Sequence, residues 1–295
     1  MILVHDWCKL SYPGHTTKKD QAELSKGNNR GYELTTVLAV DGSNGAPLAP
    51  LEVHFKTADG LLSTRQSEPA NVHHLDQVLP TMNASHDWNL PCSALHVIDR
   101  EADSVGHYRA WHAAGHHFLV RGQDHRVVTW EGRKLARRKV SEELLERGAF
   151  QHSGTVLSNA PIELLTAKQL AQCYYWRWRI ESYFKLLKSH GQQLEHWRQE
   201  TGAAIFRRLL VATMACVTVW QLLADTSPAA IELKDVLIRL SGRQMKRTVP
   251  YTAPALLDGL WSLLSVLEYL ETHELSDLKK LVESVSFPVP IRKTG

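Results

Sequence analysis

The chain has 295 residues, enough for one large or two ordinary domains, and its 43% hydrophobic content suffices for a buried core, which excludes a disordered chain. The formal net charge of +3 is small, so charge alone identifies no partner. The four cysteines are scattered without a CxxC pair, which favours reduced thiols over a disulfide framework or a thiolate zinc site.

The first half of the chain alternates short apolar runs with turn residues, a pattern typical of strands. It predicts strands at residues 2–4, 34–40, 51–55, 94–98 and 117–120, and a helix over residues 71–79 that leads to Pro80. The run at 94–98 is largely apolar, as in a strand buried on both faces, and Asp99 closes it. Asp103 is expected to cap a helix that ends near Ala113. This order predicts an α/β fold with a mixed sheet flanked by helices.

The second half is mainly helical. Residues 123–155 break the earlier pattern and predict an insertion with a short charged helix near 141–147. A strand at 156–158 is followed by predicted helices at 166–189, 203–223 and 253–270. We therefore predict a core over residues 1–200 and a C-terminal helical region over residues 201–295.

No targeting or membrane segment is predicted. The longest largely apolar stretch, residues 209–220, is shorter than the roughly 20 residues that span a bilayer, and it favours a buried helix. Residues 1–4 resemble a strand more than a signal peptide. We expect a cytoplasmic protein with no membrane partner.

Three acidic residues are candidates for one shared site. Asp6 and Asp99 each follow a predicted strand, and the carboxyl ends of neighbouring strands face the crevice where α/β proteins bind ligands. Taken singly, an Asp after a strand is more typical of a turn or a helix cap. Glu181 lies midway along the predicted helix at 166–189.

The helix around Glu181 carries the more specific pattern. Tyr174, Arg177, Glu181 and Lys188 are separated by 3, 4 and 7 positions, so they share one helix face at about 100° per residue. An exposed Glu–Lys ladder is the alternative, but the neighbouring tryptophans fit a surface ladder poorly.

Basic residues form two clusters that are able to neutralise phosphates. One surrounds Arg177, and for the other an ordinary solvated helix face is an equally good interpretation. The members of the second cluster are Arg133, Lys134, Arg137, Arg138 and Lys139.

The spacing Tyr-x2-Arg-x3-Glu-x6-Lys resembles the signature of the bacterial insertion-sequence-four family of DNA transposases, which have a three-carboxylate site. The run Asp-Arg-Glu-Ala-Asp at 99–103 is similar to that family's second-carboxylate motif, and Val-His-Asp at 4–6 to its first. The resemblance covers most of residues 2–223. It implies a ribonuclease H-like mixed-sheet catalytic core, with an insertion before the Glu helix and a helical C-terminal portion.

The resemblance also implies a site. Asp6, Asp99 and Glu181 would be the catalytic residues and would hold two Mg²⁺ ions, with Mn²⁺ as a possible substitute. Tyr174, Arg177 and Lys188 would bind DNA at the transposon end. In the family a tryptophan of the insertion stacks on a flipped base. The expected place near residues 153–154 has none, and Trp130, the only tryptophan of this insertion, is the candidate.

The implied partners are double-stranded DNA, as transposon ends and target, and a second copy of the chain in a synaptic complex. The DNA-bound protein would associate with the bacterial nucleoid. Family members carry an N-terminal DNA-binding domain before the first catalytic Asp, whereas Asp6 stands near the start of this sequence, so we expect that domain to be missing.

Two functions follow from these expectations. One is a transposase that cleaves phosphodiester bonds and transfers strands with divalent metal; the other is a truncated remnant that regulates by binding DNA or a partner. A sugar- or nucleotide-processing enzyme is disfavoured, because no glycine loop cradles a phosphate. A zinc enzyme is also disfavoured, because the pair His112 and His116 contains Gly115 and has no adjoining carboxylate.

Overall fold

A computed structural model describes residues 1–12, 14–25, 29–65, 73–90, 92–146, 156–161, 163–189, 191–246 and 248–284. The chain forms two compact units, residues 1–217 and residues 218–295. The site lies in the first unit. The predicted division into a core at 1–200 and a helical region at 201–295 stays a prediction about functional domains.

The first unit contains all strands of the described chain. They are β1 (Ile2–Ser11), β2 (Ala22–Ser25), β3 (Asn29–Val40), β4 (Pro47–Lys56), β5 (Leu61–Ser63), β6 (Leu95–Ile98), β7 (His117–Arg121), β8 (Val127–Trp130), β9 (Arg133–Ala136) and β10 (Val156–Ser158).

The helices follow and interleave with the strands. They are α1 (His74–Ala84), α2 (Val105–Ala113), α3 (Arg137–Glu146), α4 (Ala167–Trp176), α5 (Trp178–Lys188), α6 (Gly202–Ala224), α7 (Pro228–Ser241), α8 (Ala253–Leu270) and α9 (Leu275–Ser284).

The main sheet is mixed, as predicted, and β1 stands near its centre. Its strand order is β10-β7-β6-β1-β3-β4-β5, with β2 paired to β3. β1, β3 and β4 form an antiparallel meander, whereas β6 and β7 run parallel to β1. The register pairs His5 with Ile98, so the next residues along the two strands, Asp6 and Asp99, lie level with each other.

Helices α1 and α2 cover one face of this sheet with a tight apolar layer. Met82 of α1 and Trp111 of α2 pack with Ile98 and Phe118 from the neighbouring parallel strands. Every residue of β6 is buried, as the apolar run predicted. Burial of a side chain such as Trp111 stabilises the folded state by roughly 3 kcal/mol or more. This packing fixes the end of β6, which Asp99 follows.

Three local predictions about this layer were wrong. β1 continues to Ser11 because β3 pairs with it along its whole length, so Asp6 lies within the strand and not after it. Helix α1 passes through the exposed Pro80, because its remaining turns are held by buried side chains such as Met82. The cap of α2 is Ser104 in place of Asp103, whose carboxylate is bound elsewhere.

The predicted helix at 166–189 is divided into α4 and α5 by Arg177. Thr166 and Gln169 form a capping box at the start of α4. The amide of Arg177 donates to Tyr174 at 3.1 Å and its carbonyl accepts from Ile180 at 3.1 Å, so the chain tightens into three-residue turns there. Arg177 itself keeps right-handed helical angles, with φ −50° and ψ −33°.

The insertion begins with the hairpin of β8 and β9, a separate two-stranded sheet, followed by α3. Helix α3 starts at Arg137, ahead of the charged helix predicted near 141–147. Residues 147–155 lie outside the described part of the chain, and with them the place near 153–154 where a stacking tryptophan was sought.

The second unit is helical. Gly259 of α8 lets the backbone approach Leu237 of α7, where a Cβ atom would lie 2.0 Å from the Leu237 carbonyl oxygen. Helices α7 and α9 lie in the part of the chain predicted to be helical, but the sequence analysis gave them no bounds, because neither has the long apolar run that marks α8. Helix α8 has the predicted bounds.

Among the described residues, α6 and α8 are long and apolar enough to cross a membrane by length and composition alone. The core helix of a soluble protein meets the same criterion. In the most apolar 18-residue window of each helix, 44% of α6 is buried, compared with 22% of α8. The absence of a membrane partner and the cytoplasmic location stay predictions.

Candidate active site

The first side of the site is built by two neighbouring parallel strands. Asp6 projects from β1, where its Oδ1 accepts a hydrogen bond of 2.9 Å from the Trp7 amide. Asp99 directly follows β6 and begins a short 3-10 turn over Arg100–Ala102. The parallel register places Asp6 and Asp99 side by side on neighbouring strands, so their carboxylates lie close together.

The opposite side is the junction of α4 and α5. Arg177 is only 5% exposed, and its guanidinium lies between acidic groups. Nη1 donates to Asp6 Oδ2 at 3.2 Å, Nη2 donates to Glu181 Oε1 at 2.7 Å, and Nε lies 4.0 Å from Asp99 Oδ1. Arg177 therefore gathers the three predicted carboxylates around one positive charge.

The other two residues of the helical stripe extend this site in two directions. The Tyr174 hydroxyl donates to Asp99 Oδ1 at 3.0 Å. Lys188 donates to the Lys9 carbonyl oxygen at 2.8 Å and lies 3.4 Å from Glu195. The stripe predicted from spacing thus spans the site from Asp99 to the far end of β1.

Burial and charge shift the ionisation of these groups. Burial is the largest effect on Asp6, and together with the repulsion of Asp99 and Glu181 it raises the pKa of Asp6 to about 6 despite Arg177 and the Trp7 amide. Burial also works to raise the pKa of Asp99, but the Arg100 amide, Arg177 and Tyr174 lower it below its ordinary value. The site favours a compensating cation.

A cleft of about 500 Å³ opens in front of these groups. Its lining includes Asp6, Asp99 and Glu181 together with Lys185 and Lys188 of α5. Acidic ligands and basic side chains thus share one solvent-accessible cleft. Such a surface suits a divalent cation beside an anionic ligand such as a phosphodiester.

Asp103, the last residue of the 99–103 run, has a structural environment that the sequence analysis missed. Its buried carboxylate accepts from Arg137 at 2.5 Å and from the Gln123 amide at 2.6 Å, and Arg126 contacts it at 3.0 Å. Arg137 is buried, so within the described chain this member of the predicted basic cluster faces Asp103 and not solvent. A Cβ atom on Gly122 would collide with Arg137. The insertion is thereby fixed to the turn after Asp99.

Trp130 lies on the β8–β9 hairpin, with the Arg133 guanidinium 5.7 Å from its ring. Within the described part of the chain, it is absent from the lining of the cleft. Its assignment as the residue that stacks on a flipped base stays a prediction. The central position of Arg177 was also missed, because spacing along one helix does not reveal contacts with other strands.

A mixed α/β core whose carboxylates converge beside a basic cleft defines a class of proteins suited to metal-assisted phosphate chemistry. The model of the family described as transposase DDE domain matches residues 1–218. The chain belongs to this family of DDE transposases. Members generally use a divalent metal and act on DNA. No curated protein matches the chain.

Proposed function

We propose that this chain is a transposase of the insertion-sequence-four type that cleaves phosphodiester bonds at the ends of an insertion sequence and transfers the strands to target DNA. Asp6, Asp99 and Glu181 are its catalytic carboxylates. The observation that carries the proposal is their convergence, from two strands and a helix, on the buried guanidinium of Arg177.

The topology supports a ribonuclease H-like core. An antiparallel meander of β1, β3 and β4 continues, on the other side of β1, into the parallel strands β6 and β7. Helices connect the strands of the parallel part, and the helix that carries Glu181 follows the insertion. This is the order expected of such a core with an insertion before the Glu helix.

The donor set fits a hard divalent cation. The three carboxylates, when ionised, carry three negative charges, and the guanidinium of Arg177 carries one positive charge. These four groups together therefore have a net charge of −2. The pKa of Asp6 is raised although Arg177 lies beside it, so one guanidinium does not fully offset the burial and the negative charge around Asp6. Asp6, Asp99 and Glu181 would hold Mg²⁺ or Mn²⁺, which when bound activates an attacking oxygen and stabilises the leaving one.

The residues around the carboxylates position DNA in this proposal. Lys188 and Lys185 present ammonium groups in the cleft and bind backbone phosphates. Tyr174 orients Asp99 through its hydroxyl, and we propose that it also contacts the DNA end. Arg177 compensates the carboxylates in the structure, and with a divalent cation held by them its guanidinium would be available to bind phosphate. Trp130 remains the candidate for stacking on a flipped base.

We further propose that two copies act together, because strand transfer joins two transposon ends in one synaptic complex. Each copy contributes one set of carboxylates to one DNA end. A regulator without cleavage activity is the competing function, and it shares DNA or partner binding with the transposase.

The decisive experiment incubates the purified chain with labelled end-bearing and unrelated DNA in Mg²⁺ or Mn²⁺. We expect cleavage by the wild type and a loss of at least about 100-fold in Asp99→Asn and Glu181→Gln, because each removes a charged ligand while keeping its shape. Asp87→Asn, which neutralises an exposed carboxylate in the turn after α1, is the matched control and should cleave normally.

The outcomes separate the two functions. Cleavage that persists in both carboxylate variants would show that the site lies elsewhere. A wild type that binds end DNA and forms dimers but never cleaves would replace the proposed transposase with the regulator.

A further inference from the structure

A second group of metal-ligating side chains lies beside the cleft, at the start of α1. His73 and His74 open this helix, and Glu101 belongs to the 3-10 turn that follows Asp99. One ligand atom from each of the three residues lies within 4.8 Å of the other two. The proposed catalytic site does not use these side chains.

His74 is held in an orientation that suits a metal ligand. It is 8% exposed, and its ring stacks on Trp7 with a centroid distance of 4.0 Å. Nδ1 lies 3.2 Å from Glu33 Oε1, while Nε2 lies 3.2 Å from Glu101 Oε1. A histidine that binds metal through one ring nitrogen typically donates its other N–H to a carboxylate, which is the part that Glu33 plays here.

The spacing of the ligand atoms fits a small tetrahedral ion. With metal–ligand distances of about 2.0–2.1 Å, neighbouring ligand atoms of a tetrahedron are about 3.3 Å apart. The 3.2 Å between His74 Nε2 and Glu101 Oε1 matches this edge. One nitrogen of His73 completes the set after a shift of roughly an ångström or more, and His73 is exposed at a helix start.

We propose that His73, His74 and Glu101 form a binding site for a transition-metal ion of the zinc class, with Glu33 as the group that orients His74. Two imidazoles and one carboxylate select Zn²⁺ over Mg²⁺, which prefers oxygen ligands. Three protein ligands leave a fourth position for water. The site is separate from the cleft of Asp6, Asp99 and Glu181.

The position of this site gives it a link to the catalytic carboxylates. The Trp7 indole donates to Glu101 Oε2 at 3.0 Å, and the Trp7 amide donates to Asp6. Glu101 stands in the turn that Asp99 begins. An ion on Glu101 Oε1 therefore fastens the segment after Asp99 to α1 and leaves the Trp7 contact in place. It stabilises the arrangement of both carboxylate-bearing segments.

Metal-free protein titrated with Zn²⁺, and separately with Co²⁺ followed by its visible absorption, tests the proposal. We expect one tightly bound ion per chain, with the intense absorption of four-coordinate Co²⁺ and nitrogen ligands; any ion held by Asp6, Asp99 and Glu181 binds more weakly and is absent in the double variant described below. His73→Asn removes one ligand but keeps a good helix cap, so it folds, and Glu33→Gln removes the orienting charge. Glu33→Gln should weaken Zn²⁺ binding about 10–100-fold, and His73→Asn by at least that factor.

Two further variants locate the ion. His125→Asn, at an exposed histidine before β8, should bind Zn²⁺ like the wild type. The double variant Asp99→Asn, Glu181→Gln should also keep the Co²⁺ spectrum. The proposal is overturned if the wild type does not bind Zn²⁺, if His73→Asn binds it unchanged, or if the double variant abolishes binding.

Discussion

Arg177 is the residue on which the candidate site depends. A buried guanidinium shared by three carboxylates gives the protein a partly neutralised site before a divalent cation binds. The interaction of unit charges about 4 Å apart at an effective dielectric constant of about 20 is roughly 4 kcal/mol. A divalent cation held by these carboxylates, as proposed, would therefore compete with Arg177 for the same negative charge.

Replacing Arg177 by Gln should separate these two effects. Without the guanidinium the carboxylates repel each other, so we expect Mn²⁺ to bind roughly 10-fold more tightly, equivalent to about 1.4 kcal/mol, while DNA cleavage falls. Isothermal titration calorimetry with Mn²⁺ measures the affinity. Arg179→Gln is the control, because Arg179 donates to the Gly45 carbonyl oxygen at 2.7 Å.

Weaker Mn²⁺ binding by Arg177→Gln than by the wild type would contradict this expectation. It would mean that Arg177 chiefly holds the carboxylates in place, so that its removal scatters the ligands. An effect of equal size in Arg179→Gln would assign the change to the α4–α5 junction as a whole.

Some residues of the candidate site were predictable from the sequence, and others were not. Asp99 was found because an apolar run buried on both faces ends at it, and the helical stripe was found because α-helix periodicity is regular. The contacts of Arg177 with Asp6, and of Arg137 with Asp103, join residues far apart in the chain. Periodicity carries no information about such pairs, so the sequence left both arginines assigned only to phosphates or solvent.

At the scale of elements, the turn between β3 and β4 adds to the contacts that β1 makes with the helices of the candidate site. The turn between β3 and β4 includes Gly45, whose φ is +74° and whose missing side chain leaves room for Trp176. A Cβ atom there would lie 2.2 Å from Trp176 Nε1. The turn, Trp176 and Arg179 together set the position of the α4–α5 junction over the sheet.

Gly45→Ala should therefore be costly. Left-handed backbone strain costs about 1–2 kcal/mol and overpacking about 1–3 kcal/mol, so we expect a loss of roughly 2–5 kcal/mol in the free energy of unfolding. Urea denaturation followed by tryptophan fluorescence measures it.

Gly132→Ala separates strain from overpacking. Gly132 has a φ of +75°, but among the described residues no atom beyond Gly132 and its two chain neighbours lies within 4 Å of the place that an added Cβ would take, so this variant should lose only about 1–2 kcal/mol. Equal losses in the two variants would show that Trp176 yields and that the turn does not fix the junction.

Element boundaries differed from the predictions where tertiary pairing outweighs local pattern. Pairing with β3 extends β1 past Asp6, and core packing carries α1 through Pro80. The strands β2 and β5 were missed, because four and three residues are too short to show an alternating pattern. The sequence predicted that the sheet is mixed but not the order of its strands, since the alternation of apolar and polar residues within a strand does not specify which strands are neighbours.

At the scale of the whole first unit, buried histidines make the fold sensitive to acid. His5 and His96 are joined at 2.8 Å, and the ring of His116 lies 5.4 Å from that of His96. Burial is the main cause that lowers the pKa of His5 to about 4, and it also lowers the pKa of His96 and of His116. The native state keeps these rings neutral.

Stability should fall as the pH decreases from about 7 to 5. The unfolded chain takes up protons on these histidines near their ordinary pKa of 6.5, whereas the native state does not, so the stabilisation present above pH 6.5 is lost progressively towards pH 4. For His5 alone the loss by pH 5 is on the order of 2 kcal/mol. Urea unfolding of metal-free protein at several pH values measures it.

Asp6 provides the matched variant, because its effect has the opposite sign. Its pKa is raised to about 6, so the native state binds a proton more readily than the unfolded chain, and Asp6 adds stability as the pH falls from 6 towards 4. Asp6→Asn removes this opposing contribution and should make the acid dependence steeper. A flat profile in both proteins would mean that the histidine cluster is already solvated in the native state.

The separation of Asp6 and Arg177 along the chain has a consequence for synthesis on the ribosome. The two residues are 171 positions apart, yet Asp6 and Asp99 become neighbours as soon as β6 pairs with β1. During translation both carboxylates are made before their arginine. If β6 pairs with β1 on the ribosome, the two carboxylates would meet without the guanidinium, and only cations from the surrounding solution would be there to compensate them until α5 docks.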